Sequence, residues 1–202
     1  MPFASSSKRQ ISVPAQPKAW VDPSALPDDV DVDVGLIRGS APDHVKQLVC
    51  NTFYSYGVGE PDVFGYGLGR ATRFVQISVD PSVERGGRME AVTVAEVTIT
   101  KSMLNGAGML HGGCVTYLID NCASTPLVAL GLMSGTNGVG VTQGMNVLFH
   151  APAPIGTTLR ISSSSISMGG RVMAARCEIT DKTSGRVVAS AFLNKMQPNT
   201  RL

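Results

Sequence analysis

The stretch LHGGCVTYLID, residues 110–120, decides the fold because it opens the longest apolar segment of the chain. Leu, Ala and Val dominate residues 111–132, which predicts a long helix. Between Ser102 and Leu159 there is no Lys, Arg or Glu, and Asp120 is the only Asp. A helix without a charged face should be buried nearly all round. An ionised carboxylate there costs several kcal/mol unless it is paired or used, so Asp120 is the first candidate for chemistry.

Segments with a two-residue hydrophobic period lie on both sides of this helix and predict strands. Two precede it, RFVQISVD at 73–80 and MEAVTVAEVTIT at 89–100, and VTQGMNVLFH, TLRISSSSISM, RVMAARCEIT and RVVASAFLNKM follow it. Turn-forming stretches such as APAPIG and DKTSG separate the later strands. One long helix followed by four or five antiparallel strands predicts an α+β fold in which the sheet wraps around the helix.

The amino-terminal part of the chain differs in composition from the rest. Residues 1–40 contain five prolines and the acidic stretch DDVDVD, which predicts an extended N-terminal extension ahead of a domain at 41–202. APDHVKQLVCNTFYSY, 41–56, has apolar residues at helical spacing and predicts a short helix. GVGEPDVFGYGLGR, 57–70, is Gly-rich but lacks the phosphate-loop pattern, and it predicts a flexible connection.

Composition also excludes several classes of function. The 202 residues carry a formal charge of +2 without a dense basic stripe, which argues against nucleic-acid binding. No segment reaches the roughly 18 uninterrupted apolar residues of a membrane span. The four cysteines show neither CxxC nor Cys/His zinc spacing, which predicts no metal site and reduced thiols in a cytoplasmic protein. The basic, Ser-rich start MPFASSSKRQ leaves a mitochondrial presequence as the secondary alternative, against which Pro2, Pro14 and Pro17 argue.

A set of residue types at fixed offsets resembles a known family. The chain resembles the PaaI-like acyl-CoA thioesterases in four features. These are the pattern N-x-x-G-x-L-H-G-G, an Asp eight residues after its first HGG glycine, and the segments GVGVTQGMNVLFHAPAPIG and GGRVMAARCEITDKTSGRVVASA. These belong to the 4-hydroxybenzoyl-CoA thioesterase superfamily, and the resemblance covers residues 90–197. It implies a hotdog fold and hydrolysis of an acyl or aroyl thioester to free acid and CoA. It also implies no cofactor beyond the CoA of the substrate, and sites between the subunits of a homodimer or a dimer of dimers.

The resemblance assigns roles to five positions. Asp120 would be the general base toward water or the direct nucleophile, and the sequence does not separate these two. Asn105 would hold the attacking water or the thioester carbonyl. His111 would fix the loop or the carbonyl by hydrogen bonding. Thr142 falls where relatives carry a small hydroxyl residue that orients the water, and Gly112 would bind the carbonyl oxygen.

Physical chemistry supports the role of Gly112 and restricts the assembly. A helix N-terminus offers unpaired N–H groups with about half a positive charge, which suits the oxyanion of a tetrahedral intermediate. At about 1.5 Å rise per residue, Asp120 lies roughly 12 Å along the helix from Gly112. One helix therefore cannot bring both to one carbonyl. Two antiparallel copies side by side can, which predicts a homodimer with two composite sites.

Substrate contacts and alternatives complete the expectations. The phosphates of CoA favour basic residues at the mouth of the site, and Arg171 in GGR is the best candidate, with Lys195 and Arg186 as weaker ones. Asp120 could instead be a structural carboxylate satisfied by backbone N–H groups. A hotdog dehydratase or hydratase acting on a thioester, and a non-catalytic acyl-CoA-binding dimer, remain as alternative functions.

Overall fold

The structure, a computed structural model that describes residues 21–197, is a six-stranded antiparallel sheet wrapped around one long helix. The strand order is β1-β2-β4-β5-β6-β3. The strands are β1 Arg73–Ser82, β2 Arg88–Thr98, β3 Val141–Phe149, β4 Thr158–Met168, β5 Val172–Asp181 and β6 Val187–Met196. The helices are α1 Asp43–Asn51, a π-helical continuation Thr52–Val58, α2 Tyr66–Ala71 and α3 Gly112–Ser134. This is the predicted α+β hotdog architecture, with four strands after the helix.

Helix α3 forms the centre of the core. It begins after the N-cap His111 and ends at Ser134, before the C-cap Gly135, whose φ of 67° is the left-handed conformation that glycine adopts most easily. By length and composition α3 could cross a membrane, but 67% of its most apolar window is buried within the protein. The side chains of Leu118, Ile119 and Leu127 are at most 1% exposed. Burial of this helix by the sheet explains its apolar composition.

The chain between residues 41 and 71 packs across one side of α3. The predicted helix at 41–56 is present as α1, and it continues into the π-helix. The prediction of a flexible connection over 57–70 is wrong at its end, because Tyr66–Ala71 form α2. Gly69 and Gly65 allow this helix to approach closely, since a Cβ on either would lie within 2.7 Å of the Tyr117 side chain. The close backbone approach to an aromatic ring stabilises a helix that the glycines alone disfavour.

The described part of the N-terminal extension, residues 21–40, lies against the body of the domain. Arg70 of α2 forms ion pairs with Asp29 and Asp31 and lies 4.7 Å from the centre of the Tyr54 ring. The fully buried Asn51 accepts a hydrogen bond from the Asp29 backbone N–H at 3.0 Å. The boundary predicted at residue 40 stays a prediction, and the stretch MPFASSSKRQ lies outside the described residues.

Strand β3 lies at the edge of the sheet and is largely exposed. It pairs with β6 on one side, with a register shift between Thr142 and Gly144. Its exposed side chains include Val141, Leu148 and Phe149, which are 40%, 57% and 59% exposed. Exposed apolar edge strands are sites where another chain can pair.

Residue 37 tests whether the extension belongs to the folded core. Ile37 is 5% exposed and its neighbour Leu36 is 77% exposed. We expect Ile37→Ala to lower the free energy of unfolding by about 2–4 kcal/mol, since a buried Ile loses its contacts and leaves a cavity. Leu36→Ala is the matched control and should change it by less than about 0.5 kcal/mol. Equal effects of the two variants in urea unfolding would show that this segment does not pack as described.

Candidate active site

The Asp120 carboxylate is held at the side of α3 by a residue from β3. The Thr142 hydroxyl donates a hydrogen bond of 2.6 Å to Asp120 Oδ1. The register shift between β3 and β6 begins at Thr142, and such a bulge re-aims side chains at a sheet edge. The structure therefore brings together two of the predicted site residues, 22 positions apart in sequence.

A second pair of polar residues joins Ser124, one helical turn further along α3, to Lys195 of β6. The Ser124 hydroxyl donates to the Asp120 backbone oxygen at 2.6 Å, and it accepts a hydrogen bond from Lys195 Nζ at 2.7 Å. Lys195 is only 7% exposed. Burial lowers the pKa of the Lys195 amine, while the nearby Asp120 charge acts to raise it. Ser124 was not among the sequence-predicted site residues, although its i, i+4 spacing from Asp120 on one helix was a usable signal.

These residues open into a cavity of about 790 Å³ between α3, the π-helix and the start of β3. Tyr56 and Gly57 of the π-helix line it, and Phe64 and Tyr117 form a further part of the wall. The Phe64 and Tyr117 rings meet edge to face with centroids 5.9 Å apart. Burial, and after it the Asp120 charge, raises the pKa of the Tyr56 hydroxyl. Asp120 is the only carboxylate that lines this cavity within the described chain.

The start of α3 forms a separate group of the predicted residues. His111 Nδ1 accepts a hydrogen bond from the Gly113 N–H at 2.8 Å, so the histidine caps the helix. The side-chain oxygen of Asn105 accepts from the N–H groups of Ala107 and Met109, which shapes the loop before the helix. Within residues 21–197 no acceptor is bonded to the Gly112 N–H. That N–H is thus free to donate to a ligand.

One subunit does not bring the two groups together. Gly112 and Asp120 both lie on α3, eight residues and roughly 12 Å apart along its axis. Strand β3 passes both of them: Thr142 contacts Asp120, and a Cβ on Gly112 would lie 3.6 Å from the Phe149 ring at the other end of the strand. The isolated chain therefore contains two halves of the predicted site rather than a complete one.

The three basic residues predicted to contact CoA lie in different places. Arg171 is exposed in the turn between β4 and β5, and its backbone oxygen accepts from Gln197 N–H just beyond β6. Arg186 precedes β6 at the opposite end, where its guanidinium donates to the Pro152 oxygen at 2.7 Å. Lys195 lines the cavity but is only 7% exposed and donates to Ser124, so its contact with the CoA phosphates stays a prediction.

The remaining reactive side chains do not form a second centre in the described chain. All four cysteines are free; burial raises the pKa of the Cys50 thiol to about 12 and that of Cys177 to about 11. Over residues 21–197 no cluster of three or more His, Cys, Asp or Glu side chains is placed to hold a metal ion.

Comparison with known proteins finds similarity to one family in the second half of the chain. Residues 107–188 match the model of the thioesterase superfamily. Mouse acyl-coenzyme A thioesterase 13 is 29% identical over 97 residues, and the human protein of that name is 26% identical over 96. The matched region is 48% of this chain and 66% of each of these relatives, slightly less than two thirds of their length.

Solved structures show the same architecture. Zebrafish thioesterase superfamily member 2 superimposes with a TM-score of 0.58 at 20% identity, over 73% of this chain and 94% of that one. The mouse protein gives 0.53 at 24% identity, over 66% and 89%. The chain therefore has the hotdog fold that its resemblance to the PaaI-like group predicted, and residues 107–188 are similar to the thioesterase superfamily.

Proposed function

We propose that the protein is an acyl-CoA thioesterase that hydrolyses an acyl or aroyl thioester to the free acid and CoA. The observation that carries this is the Asp120 carboxylate, bonded to Thr142 and facing a cavity whose other walls are largely apolar. A carboxylate in such a place can accept a proton from water or attack a carbonyl carbon. The sequence similarity to acyl-coenzyme A thioesterases supports the same reaction.

In this reaction Asp120 can act in two ways that use the same geometry. As general base it takes a proton from water, the water oxygen bonds to the thioester carbon, and the C–S bond breaks to release the thiolate of CoA. As nucleophile its oxygen forms an anhydride while the thiolate leaves, and water then cleaves the anhydride. Thr142 holds one carboxylate oxygen, so the other is free to face the substrate. Neither course needs a metal or redox cofactor.

The oxyanion of the tetrahedral intermediate would be bound by the Gly112 N–H at the start of α3. This donor has no acceptor among residues 21–197 and lies at the positive end of a 23-residue helix. It gains most when the carbonyl oxygen becomes negative, and losing such a donor typically costs about 10²–10³ in rate. Asn105, whose side-chain oxygen is already engaged, has its amide N–H₂ left to contact the carbonyl or the water.

The active form would be a homodimer, because only two chains complete the site. Antiparallel pairing of two β3 edges about their middle sets the Thr142 end of one strand beside the Phe149 end of the other. The Asp120 half of one subunit then meets the Gly112 half of its partner. The same pairing covers Val141, Leu148 and Phe149, which are exposed in the single chain. Two dimers could assemble further through other surfaces.

Two arginines are placed to flank such a composite site. Arg171 precedes β5 at the end of the sheet where β3 begins, which is the end of the Asp120 half, and β6 lies between the two strands. Arg186 is near the start of α3, since it bonds to Pro152 while the adjacent Ala153 oxygen accepts from the Leu110 N–H. We propose that the CoA phosphates bind at Arg171, with Arg186 as the second candidate.

The two alternative functions predict different behaviour. A hotdog dehydratase or hydratase would need a histidine placed as acid or base, but His111 uses Nδ1 to cap α3. A non-catalytic acyl-CoA-binding dimer would bind the thioester without releasing thiol. A free-thiol assay over a panel of acyl-CoA substrates separates this from hydrolysis.

Asp120→Asn tests the catalytic role directly. The amide keeps the shape but loses negative charge and basicity, so we expect kcat to fall by about 10²–10⁴ while acyl-CoA affinity is retained. The melting temperature should stay equal or rise, because an ionised carboxylate is removed from a half-buried site. If Asp120 were only structural, the variant would lose stability or assembly instead. Wild-type turnover of every thioester by a stable Asp120→Asn dimer would contradict the catalytic assignment.

Gly112→Pro tests the oxyanion role with little disturbance of the helix. Proline removes the N–H and is favoured at the first helical position, and His111 before it already has extended φ and ψ of −68° and 135°. We expect kcat to fall by about 10²–10³. Gly112→Ala is the matched control, because it keeps the N–H and its Cβ would only touch the Phe149 ring at 3.6 Å. Equal activity of the proline and alanine variants would refute the role of this donor.

Mixing the two inactive variants tests the composite site. A heterodimer of Asp120→Asn and Gly112→Pro subunits has one site with both defects and one with none. After subunit exchange of an equal mixture, half of the dimers are mixed, so about a quarter of wild-type activity should return. Each variant exchanged with itself is the control. If exchange is demonstrated but no activity returns, each site lies within one chain. The same conclusion follows if the protein is fully active at a concentration where light scattering shows a monomer.

A further inference from the structure

Phe64 is a large apolar side chain that the fold leaves in solvent beside the candidate site. The residue is 83% exposed and lies in the loop between the π-helix and α2. This loop is outside residues 107–188, the region similar to the thioesterase superfamily. A single exposed apolar residue needs no explanation by itself. The position of Phe64 between two cavities does need one.

A close contact fixes the position of the Phe64 ring. Its ring meets the Tyr117 ring edge to face, with centroids 5.9 Å apart, and Tyr117 is only 9% exposed. The next residue, Gly65, has a φ of 76°, and a Cβ there would lie 2.3 Å from the Tyr117 ring. The backbone beside Phe64 is therefore packed directly against an immobile side chain, so the exposed ring has a defined place.

Two cavities meet at this aromatic pair. Phe64 and Tyr117 line the cavity of about 790 Å³ that contains Asp120, and they also line a second cavity of about 480 Å³. Gly113 is the third residue that the two cavities share. Tyr117 and Gly113 belong to α3, so Phe64 is the part of this boundary that the loop supplies.

The second cavity borders the other half of the proposed site. His111 and Cys114 line it, and both lie within two residues of the oxyanion donor Gly112. Most of its remaining walls are apolar and include Pro61, Val63, Leu68 and Met103. One cavity thus contains the carboxylate, the other lies beside the start of α3, and Phe64 faces both.

We propose that Phe64 is a specificity-determining residue: its ring is an apolar contact surface for the acyl group, which selects acyl groups that are apolar and large enough to cover it. This inference rests on the proposed thioesterase function. The carbonyl of a bound thioester must reach Asp120 of one subunit and Gly112 of the other. Its acyl group therefore starts beside one of the two cavities, and in either cavity it meets a Phe64 ring.

The size of the acyl group decides how much it gains from this contact. Each methylene group removed from water is worth about fourfold in an equilibrium constant. An acetyl group ends next to the carbonyl and does not reach the ring, whereas a decanoyl group extends far enough to cover it. The contact should therefore raise kcat/KM for decanoyl-CoA and leave kcat/KM for acetyl-CoA almost unchanged.

The principal test is Phe64→Ala in the full chain, assayed with acetyl-, hexanoyl- and decanoyl-CoA. We expect kcat/KM for decanoyl-CoA to fall by about tenfold or more, since the apolar surface of a whole phenyl ring is lost. The value for acetyl-CoA should change by less than about twofold, and hexanoyl-CoA should lie between the two. Phe64→Leu keeps part of the apolar surface and should show a smaller loss with decanoyl-CoA.

Phe192→Ala is the matched control for loss of an exposed phenylalanine. Phe192 is 62% exposed on β6 and lines neither of the two cavities. This variant should keep the wild-type ratio of kcat/KM for decanoyl-CoA to that for acetyl-CoA. The melting temperature of Phe64→Ala should stay near that of the wild type, because an exposed ring contributes little to the core.

A binding measurement separates the contact from the reaction. S-alkyl-CoA thioethers have no carbonyl and cannot be hydrolysed, so calorimetry can compare S-decyl-CoA with S-ethyl-CoA at equilibrium. We expect the wild type to bind S-decyl-CoA more tightly than S-ethyl-CoA, and Phe64→Ala to remove about tenfold or more of that difference. Phe192→Ala should leave the difference unchanged.

Each outcome decides one of the two proposals. If the wild type hydrolyses thioesters but prefers acetyl-CoA, or if Phe64→Ala keeps the wild-type ratio, the role of Phe64 is overturned. A gain of activity on decanoyl-CoA in Phe64→Ala also overturns it, since the ring would then exclude long acyl groups. If the wild type hydrolyses no thioester but binds S-decyl-CoA through Phe64, the contact surface stands and the thioesterase proposal fails. Neither hydrolysis nor binding would overturn both. If Phe64→Ala does not fold, Phe64→Leu gives the answer.

Discussion

The distance along one helix between its first residue, Gly112, and Asp120 nearer its middle constrains the whole candidate site. A hydrogen-bonded helix cannot be compressed, so Gly112 and Asp120 stay roughly 12 Å apart along α3 whatever surrounds them. The apolar core packs tightly around α3, where Leu118 and Ile119 are at most 1% exposed, and so holds the helix in place. An oxyanion donor at one end and a carboxylate in the middle can serve one carbonyl only when two chains meet. Assembly is therefore part of the proposed chemistry, not an addition to it.

Much of the fold follows from local pattern. The apolar segment 111–132 appears as α3 Gly112–Ser134, and each predicted strand is present within a few residues of its expected ends. These predictions worked because burial of α3 by the sheet requires an uncharged helix and alternating strands, and both leave direct traces in the sequence. The prediction of a flexible connection over 57–70 was wrong at its end because the local sequence there does not reflect the tertiary packing. Its glycines disfavour a helix locally, and only the packing of Gly65 and Gly69 against Tyr117 explains α2.

The candidate site was predictable in part. The motif singled out Asp120, Gly112, His111, Asn105 and Thr142, and the contact between Thr142 and Asp120 agrees with a shared role. The burial of Lys195 against Ser124 was not predictable, because a lysine near the end of a strand usually points to solvent and the sequence does not show which face of β6 meets α3 at that position. The walls supplied by Tyr56 and Phe64 come from a part of the chain outside the matched family region, so no motif indicated them.

Strand β3 connects assembly with the chemistry of the site. At one end its bulge directs Thr142 to Asp120, and at the other Phe149 lies against the start of α3, beside the free Gly112 N–H. Its outer edge is unpaired within the described chain and carries exposed apolar side chains. Its partner β6 places Lys195 opposite Thr142, so the same pair of strands positions both residues. A second chain added along β3 would therefore fix, in one step, the positions of the carboxylate, the residue that holds it and the oxyanion donor. Strand β3 is thus the edge through which a second chain can complete the proposed site.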